Sequence, residues 1–240
     1  MTELVDQHFN IINNEGQIWA PSNDSNEESF RVMEGNVNGY KPYHINFFTF
    51  RRLFQLMRGL NKKELTIVET GTSAVGVDST TLFDSYVRKY GGELYTVDIN
   101  PYTSLLNKHK WSDRTKPVVS DSVKFLERFD KEIDVLYLDS MDIDWLDAGS
   151  SMNHGFMELY NAIPKMAKES LILIDDTPKS AKWLPFRNEV YEKLREREEV
   201  NKIEVPGKGF YAKTILENME KNGEAKMEMQ QYQLLYSIRK

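Results

Sequence analysis

The chain has 240 residues, of which 40% are hydrophobic and 28% charged, a composition typical of a globular protein that can bury a substantial core. Its net charge of −6 provides no basic field for a phosphate backbone, so we expect no nucleic acid partner. The absence of cysteine excludes disulfides, thiolate metal sites and a cysteine nucleophile. The sequence shows neither a basic and apolar leader nor a long apolar run, which predicts a cytoplasmic protein with no membrane partner.

The first forty residues are mostly polar. The acidic stretch 22–29, rich in serine and asparagine, predicts a mobile arm or lid, and a solvated tail without a role is the alternative. The next segment, 44–60, carries large apolar side chains at three- and four-residue spacing, which predicts an amphipathic helix. Residues 1–60 are therefore expected to form an N-terminal arm and a helical cap.

The succession strand, glycine turn, helix and strand is the most informative pattern in the chain. An apolar run ends in Glu69, a turn with Gly71 and Ser73 follows, a helix begins near Asp78, and a second apolar run ends in Asp98. Glycines let the backbone turn sharply and approach a ligand, and a carboxylate at the tip of the second strand can accept the hydroxyls of a ribose. The unit predicts a nucleotide-type cofactor, although a plain strand–helix turn would explain each feature taken singly.

The alternation of strands and helices continues to the end of the chain. Strands are predicted at 116–121, 134–139 and 171–176, and helices from Ser122, over 153–168 and over 180–197. Residues 202–205 and 210–215 flank the turn Pro206–Gly209 and predict a hairpin. These elements predict an α/β fold with a Rossmann-like, doubly wound and mainly parallel sheet that ends in a C-terminal antiparallel hairpin.

Aspartates stand at the ends of the later strands. They are Asp98, Asp121, Asp139 and the pair Asp175 and Asp176. Because ligands of such sheets bind outside the carboxyl ends of the strands, these side chains are expected to converge on one rim. Crowded carboxylates need a cation or a proton, and oxygen ligands suit Mg²⁺ or another hard divalent cation. The alternative is that Asp139 and Asp175 bind cofactor or substrate directly, or stabilise loops, without a metal.

Together these residues form a recognisable series. Glu69–Ser73, Asp98, Ser120–Ser122 and Asp139, each after a successive strand, resemble the class I S-adenosylmethionine-dependent methyltransferases. The later stretches LYLDSMD and LILIDDTP are similar to small-molecule O-methyltransferases of the macrocin O-methyltransferase and cephalosporin-hydroxylase or rhamnosyl O-methyltransferase-like groups. The resemblance extends from about Leu65 to Ile215, which implies a cofactor-binding methyltransferase domain over 61–215.

The resemblance implies a role for each matching residue. The cofactor, S-adenosylmethionine, would contact Glu69, Gly71, Thr72, Ser73, Asp98, Asp121, Ser122 and Asp139, with Asp98 on the ribose and Asp121 and Ser122 facing the adenine. A divalent cation, Mg²⁺ or another, would be held by Asp139, Asp175 and Asp176 and would bind the acceptor. The implied reaction is methyl transfer to a hydroxyl of a small-molecule acceptor, such as a sugar or polyol. Residues 216–240 would pack on the same domain as a C-terminal extension and could form a homodimer contact.

One departure concerns the general base. Macrolide-sugar enzymes tend to carry a histidine soon after the paired aspartates, whereas this chain has Thr177, Pro178 and Lys179 there. The catalytic candidates are therefore Asp139, His154 and Lys179. Two other functions stay open: a non-catalytic binding or scaffolding protein, and an NAD-dependent oxidoreductase, which the absence of G-x-G-x-x-G disfavours.

Overall fold

The computed structural model describes residues 2–12, 19–21, 30–32, 44–72, 77–180, 183 and 204–240. The acidic stretch 22–29, Ser73 and nearly all of the predicted helix 180–197 lie outside the described residues. No helix in the described part of the chain is long and apolar enough to cross a membrane.

The described residues form helices and strands in alternation. The helices are α1 (Thr2–Ile12), α2 (Phe47–Met57), α3 (Ser79–Tyr90), α4 (Pro101–Asn107), α5 (Ser122–Arg128), α6 (Gly149–Ala162) and α7 (Phe210–Lys221), with short 3-10 turns at Lys108–Lys110 and Ile163–Lys165. The strands are β1 (Trp19–Pro21), β2 (Phe30–Val32), β3 (Leu65–Thr70), β4 (Gly92–Asp98), β5 (Thr115–Val119), β6 (Ile133–Leu138), β7 (Met166–Ile174), β8 (Ala225–Gln230) and β9 (Leu234–Arg239).

Seven of these strands form one sheet in the order β5-β4-β3-β6-β7-β9-β8, and β1 pairs with β2 separately. Strands β3 to β7 are parallel to one another, whereas β9 is antiparallel to both β7 and β8. The predicted mainly parallel sheet with antiparallel strands at its C-terminal end is confirmed. From β3 the chain extends the sheet in one direction through β4 and β5 and then in the other direction through β6 and β7. A crevice for a ligand is expected at the carboxyl ends of the strands where this direction changes.

Alternate side chains of the central strands serve two apolar layers. Ile67 and Val135 pack in one cluster with α1, α2 and α3, and their neighbours Val68 and Leu136 pack in a second cluster with α5, α6 and α7. Both faces of the parallel strands are therefore covered, as continuous apolar runs require. The sheet is doubly wound.

The N-terminal segment differs from the prediction. Residues 2–12 form helix α1 rather than an irregular arm, and Val5 and Phe9 are buried in one apolar cluster with side chains of α2 and α3. These two side chains lie four residues apart and so share one helix face. The polar residues around Val5 and Phe9 obscured this helical spacing in the sequence. Helices α1 and α2 belong to the same apolar cluster as β3. The division of the chain at residue 60 stays a prediction.

The C-terminal segment also differs. The predicted hairpin strand 210–215 is wrong, since these residues begin helix α7, which buries Ala212, Leu216 and Met219. The antiparallel hairpin lies later and consists of β8 and β9. Strand β9, the apolar segment at the end of the chain, is buried between β7 and β8. Dimerisation stays a prediction.

The predicted helix over 153–168 is observed over a different range. It begins earlier, at Gly149, and ends at Ala162, just before the 3-10 turn that contains Pro164. Proline lacks the amide hydrogen that an α-helix interior needs, so the helix ends before it. Met166 falls within the predicted helical range but instead begins β7.

Candidate active site at the carboxyl edge of the sheet

The crevice is built around the turn that follows β3. Gly71 has φ +82°, and a Cβ atom there would lie 2.0 Å from the carbonyl oxygen of Asp139. Its amide donates to the carbonyl oxygen of Val97 at 2.8 Å, and the amide of Asp139 donates to that of Thr70 at 2.9 Å. The turn is therefore fixed between the ends of β4 and β6, in a conformation and a space that require glycine.

Glu69 lies inside the protein beneath this turn. It is fully buried and accepts hydrogen bonds from the hydroxyls of Ser79 at 2.5 Å, Thr80 at 2.6 Å and Thr96 at 2.8 Å. Burial raises the pKa of Glu69 to about 7, although the three hydroxyls act in the opposite direction. Glu69 thereby connects β3 to the start of α3 and to β4. Its predicted contact with the methionine part of a cofactor stays a prediction.

Asp98 at the end of β4 is held by two backbone donors. The amide of Asn100 donates to its Oδ1 at 2.7 Å, and the amide of Thr72 donates to its Oδ2 at 3.2 Å. The Thr72 hydroxyl is itself hydrogen-bonded to that of Thr96 at 2.8 Å. A carboxylate has about four acceptor positions, so Asp98 is oriented by the protein and can still accept two further hydrogen bonds.

A cavity of about 220 Å³ opens beside Asp98. Its lining combines carboxylates, hydroxyls and apolar side chains, namely Val97, Asp98, Ile99, Ser120, Asp121, Ser122, Ser140, Met141 and His154. Three of the residues predicted to bind the cofactor, Asp98, Asp121 and Ser122, are thus brought together in one concave site. Such a mixture of apolar walls and a few oriented polar groups is what small-molecule sites contain.

Asp121 and Ser122 have different roles at the start of α5. The side chain of Asp121 accepts from the amide of Lys124 at 2.9 Å and is the N-cap of the helix. Ser122 is the first residue of the helix, and its hydroxyl is hydrogen-bonded to Nε2 of His154 at 2.9 Å. The cap therefore also belongs to the cavity wall.

His154 lies beside a buried carboxylate beneath this wall. Its Nε2 lies 3.5 Å from Oε1 of Glu158, which is fully buried one turn further along α6. The neighbouring Glu158 carboxylate raises the pKa of His154. Burial alone would raise the pKa of Glu158, but His154, Ser122 and Ser140 lower it. His154 thus belongs to the cavity beside Asp121, and its predicted role as a base stays a prediction.

The ends of β6 and β7 bring three further carboxylates together. The hydroxyl of Tyr137 lies 2.9 Å from Oδ2 of Asp175 and 3.2 Å from Oδ2 of Asp139. Asp176 adopts a left-handed conformation with φ +45°, and its Oδ1 accepts from the hydroxyl of Tyr232. The structure therefore places Asp139, Asp175 and Asp176, the predicted metal ligands, in one cluster.

A lysine that sequence reasoning missed lies in this carboxylate cluster. Nζ of Lys208 is 2.6 Å from Oδ1 of Asp139 and 3.3 Å from Oδ2 of Asp176, and its side chain is 1% exposed. Burial would lower the pKa of Lys208, but the three carboxylates raise it above its usual range, so the ammonium stays charged. Burial raises the pKa of Asp139 well above its usual range, with Lys208 opposing the shift. Burial also raises the pKa of Asp175.

The predicted metal site is not confirmed. The ammonium of Lys208 already contacts two of the three proposed ligands, and the described residues contain no group of acidic or histidine side chains arranged to hold a metal ion. A divalent cation bound to the same oxygens would meet this positive charge. Lys208 had been placed in a hairpin turn. Two features of the sequence could have pointed to Lys208. It has a glycine on each side, and the three strand-end aspartates had no predicted counter-charge.

Lys179, the third catalytic candidate, is exposed beyond the end of β7. Its backbone amide donates to the carbonyl oxygen of Gln231 at 2.7 Å, which joins this segment to the start of β9. Lys179 is not among the residues that line the cavity beside Asp98. Its catalytic role stays a prediction.

The sequence matches no protein-family model and no curated protein. Similar folds occur among solved structures of the MycE methyltransferase from the mycinamycin biosynthetic pathway. The complex with Mg, SAH and mycinamycin VI has a TM-score of 0.54 at 16% identity, covering 82% of this chain and 50% of that chain. Complexes with Mg and SAH in two crystal forms each have a TM-score of 0.52, at 16% identity with coverage of 80% and 50% and at 14% with 81% and 48%.

These similarities define the class of fold. The chain has the Rossmann-like fold of the class I S-adenosylmethionine-dependent methyltransferases, with the crevice at the same carboxyl edge that the sheet order defines. It spans about half the length of the MycE chains to which it is similar.

Proposed function

We propose that this protein is an S-adenosylmethionine-dependent methyltransferase that methylates a hydroxyl group of a small molecule. The observation that carries the proposal is the cavity at the carboxyl ends of β4 and β5, which combines Asp98 and Asp121 in a fold of the methyltransferase class. The hydroxyl acceptor and the methyl-transfer reaction are both part of this proposal.

The cavity suits the nucleoside part of the cofactor. Asp98 is oriented by the amides of Thr72 and Asn100 and keeps acceptor positions for the two hydroxyls of a ribose. Asp121 and Ser122 form the wall that would face an adenine ring, while Val97, Ile99 and Met141 supply apolar contact. When bound, S-adenosylmethionine supplies a methyl group that is already activated by the sulfonium. The protein's task is then to align the acceptor and exclude water.

The carboxylate cluster is the proposed place for the acceptor. Asp139 belongs to both parts of the crevice, because its backbone closes over Gly71 and its side chain reaches Lys208. A carboxylate whose pKa is raised by burial can take the proton of an attacking hydroxyl, so we assign Asp139 as the general base. In addition, Oδ1 of Asp175 is buried and has no hydrogen-bond donor among the described residues. A hydroxyl-rich acceptor, such as a sugar or polyol, would supply one.

The acceptor is proposed to be a small molecule rather than a nucleic acid. One of the similar MycE structures contains mycinamycin VI, and the net charge of −6 of this chain disfavours a phosphate backbone. A panel of polyols and sugars, with transfer of labelled methyl as the readout, tests which acceptor is used.

Calorimetric titration of the full chain with S-adenosylhomocysteine (SAH) tests the cofactor class. We expect saturable binding at a ratio of one to one, and we expect Asp98→Ala to abolish it because the ribose hydroxyls lose their acceptor. Asp130→Ala, an exposed aspartate outside the crevice, is the matched control and should bind like the unmodified chain. Binding of NAD in place of SAH would instead support an oxidoreductase, and binding of neither would refute the proposal.

A further inference from the structure

The structure builds a dedicated position for Lys208. Its amide donates to the carbonyl oxygen of Asp176 at 2.8 Å, and the amide of Gly209 donates to the Thr177 hydroxyl at 2.9 Å. A Cβ atom on Gly207 would lie 2.1 Å from the carbonyl oxygen of Asp176, and one on Gly209 would lie 2.6 Å from the Thr177 hydroxyl. The two flanking glycines therefore allow this turn to approach the end of β7 closely enough to insert the lysine.

Helix α6 makes room for the same turn. A Cβ atom on Gly155 would lie 2.8 Å from the carbonyl oxygen of Lys208. Three glycines, from two distant parts of the chain, thus surround one lysine. A side chain fixed in this way is a built component of the site rather than a surface residue that happens to turn inward.

The charges of the carboxylate cluster require a cation. A buried ammonium is tolerated only when it is paired and hydrogen-bonded, and the same holds for the carboxylates around it. Lys208 contacts Asp139 and Asp176 directly, the hydroxyl of Tyr137 contacts Asp175, and the hydroxyl of Tyr232 contacts Asp176. The protein itself therefore supplies a cation to the cluster, at the position where the methyltransferase resemblance would put a divalent metal.

We propose that the ammonium of Lys208 permanently replaces a divalent cation in the carboxylate cluster, so that the site neither binds nor requires a metal. The replacement goes beyond the proposed function, because it holds whether or not the cavity binds S-adenosylmethionine. The consequence for an acceptor rests on the proposed function. The site offers the acceptor a single fixed positive charge that orients a hydroxyl, and a chelator cannot remove this charge.

Titration of the chelator-treated protein with Mn²⁺, followed by electron paramagnetic resonance, tests the replacement. We expect the unmodified chain to leave the signal of free Mn²⁺ unchanged. Lys208→Met keeps the length of the side chain but removes the charge, so its affinity for Mn²⁺ should rise by at least about tenfold, since three carboxylates then lack a cation. Lys213→Met, on α7, removes a lysine paired with Glu217 outside the cluster and is the matched control.

Two results would overturn the proposal. One is Mn²⁺ binding by the unmodified chain that Asp139→Asn abolishes. The other is a folded Lys208→Met variant that binds no more Mn²⁺ than the unmodified chain. If Lys208→Met unfolds, millimolar Mn²⁺ should restore its cooperative thermal transition while leaving that of the unmodified chain unchanged, and failure to restore it contradicts the replacement. SAH binding in the same chelator-treated sample reports separately on the proposed function.

Discussion

The two halves of the crevice hold their carboxylates in different ways. In the cofactor half, at the ends of β4 and β5, Asp98 and Asp121 accept hydrogen bonds from nearby backbone amides and remain partly exposed beside a cavity. In the acceptor half, at the ends of β6 and β7, Asp139 and Asp176 are paired with an ammonium from a residue far along the chain. Aspartates at equivalent strand ends thus acquire different chemistry from the groups that contact them.

This difference separates orientation from charge balance. Backbone amides orient a carboxylate but leave its negative charge in place, so the cofactor half can accept hydrogen bonds from a ligand. An ammonium offsets part of the charge and occupies the space that a metal cation would take. The same row of strand-end aspartates therefore gives a ligand-binding half and a half that contains its own cation.

The largest expected effect is at Gly71, where the two halves meet. Gly71→Ala should destabilise the protein by more than about 3 kcal/mol, because a Cβ atom would lie 2.0 Å from the carbonyl oxygen of Asp139 and the backbone is left-handed. Gly223→Ala is the matched control, since Gly223 has φ +78° but nothing within 4 Å, and should lose only about 1 kcal/mol. Urea unfolding measures both. Equal losses of stability in both variants would show that Gly71 is not closely packed against Asp139.

The next effect concerns Glu69, which connects β3 to the start of α3 and to β4 beneath the cofactor half. Its pKa is raised from 4.5 to about 7 in the folded protein, so its contribution to stability is complete below pH 4.5 and is lost as the pH rises through 7. Glu69→Gln cannot titrate. Its free energy of unfolding relative to the unmodified chain should therefore increase by about 3 kcal/mol across this window, from 2.5 pKa units at about 1.36 kcal/mol each. Urea unfolding at a series of pH values measures this increase, and a constant difference would contradict the assignment.

A pair of amide substitutions tests the comparison directly. Asp98→Asn should weaken SAH binding by about 10- to 100-fold, because an amide cannot accept two ribose hydroxyls as a carboxylate does. Asp175→Asn, in the acceptor half, should change SAH affinity by no more than about twofold, a difference of about 0.4 kcal/mol. Calorimetry on both variants gives the result. Equal weakening would mean that the halves do not divide cofactor from acceptor.

The smallest expected effect sharpens the description of the cofactor half. Asp121→Ala should destabilise the protein by about 1 kcal/mol, because the amide of Lys124 loses the N-cap acceptor of α5. Asp121→Asn keeps an oxygen at the same position and should leave the free energy of unfolding nearly unchanged. Urea unfolding distinguishes the two variants. A similar loss in both would show that the charge of Asp121, rather than its cap, stabilises the fold.

The sequence by itself determined the sheet and the rim. Apolar runs that end in acidic residues, separated by helical segments, predicted parallel strands with their carboxyl ends at one edge. From that geometry alone Asp98 and Asp121 were expected to lie near each other, and the cavity contains both. Local periodicity carries this information because it depends only on neighbours along the chain.

Only the tertiary structure decided three other features. Residues 210–215 are rich in aromatic and β-branched side chains and resembled a strand, but packing of Ala212 and Leu216 in the second apolar cluster makes them helical. Helix α1 depends similarly on the burial of Val5 and Phe9. The pairing of Lys208 with Asp139 joins residues 69 positions apart, and no local pattern records it. Long-range charge pairing depends on which strand ends meet, and that is settled only when the chain folds.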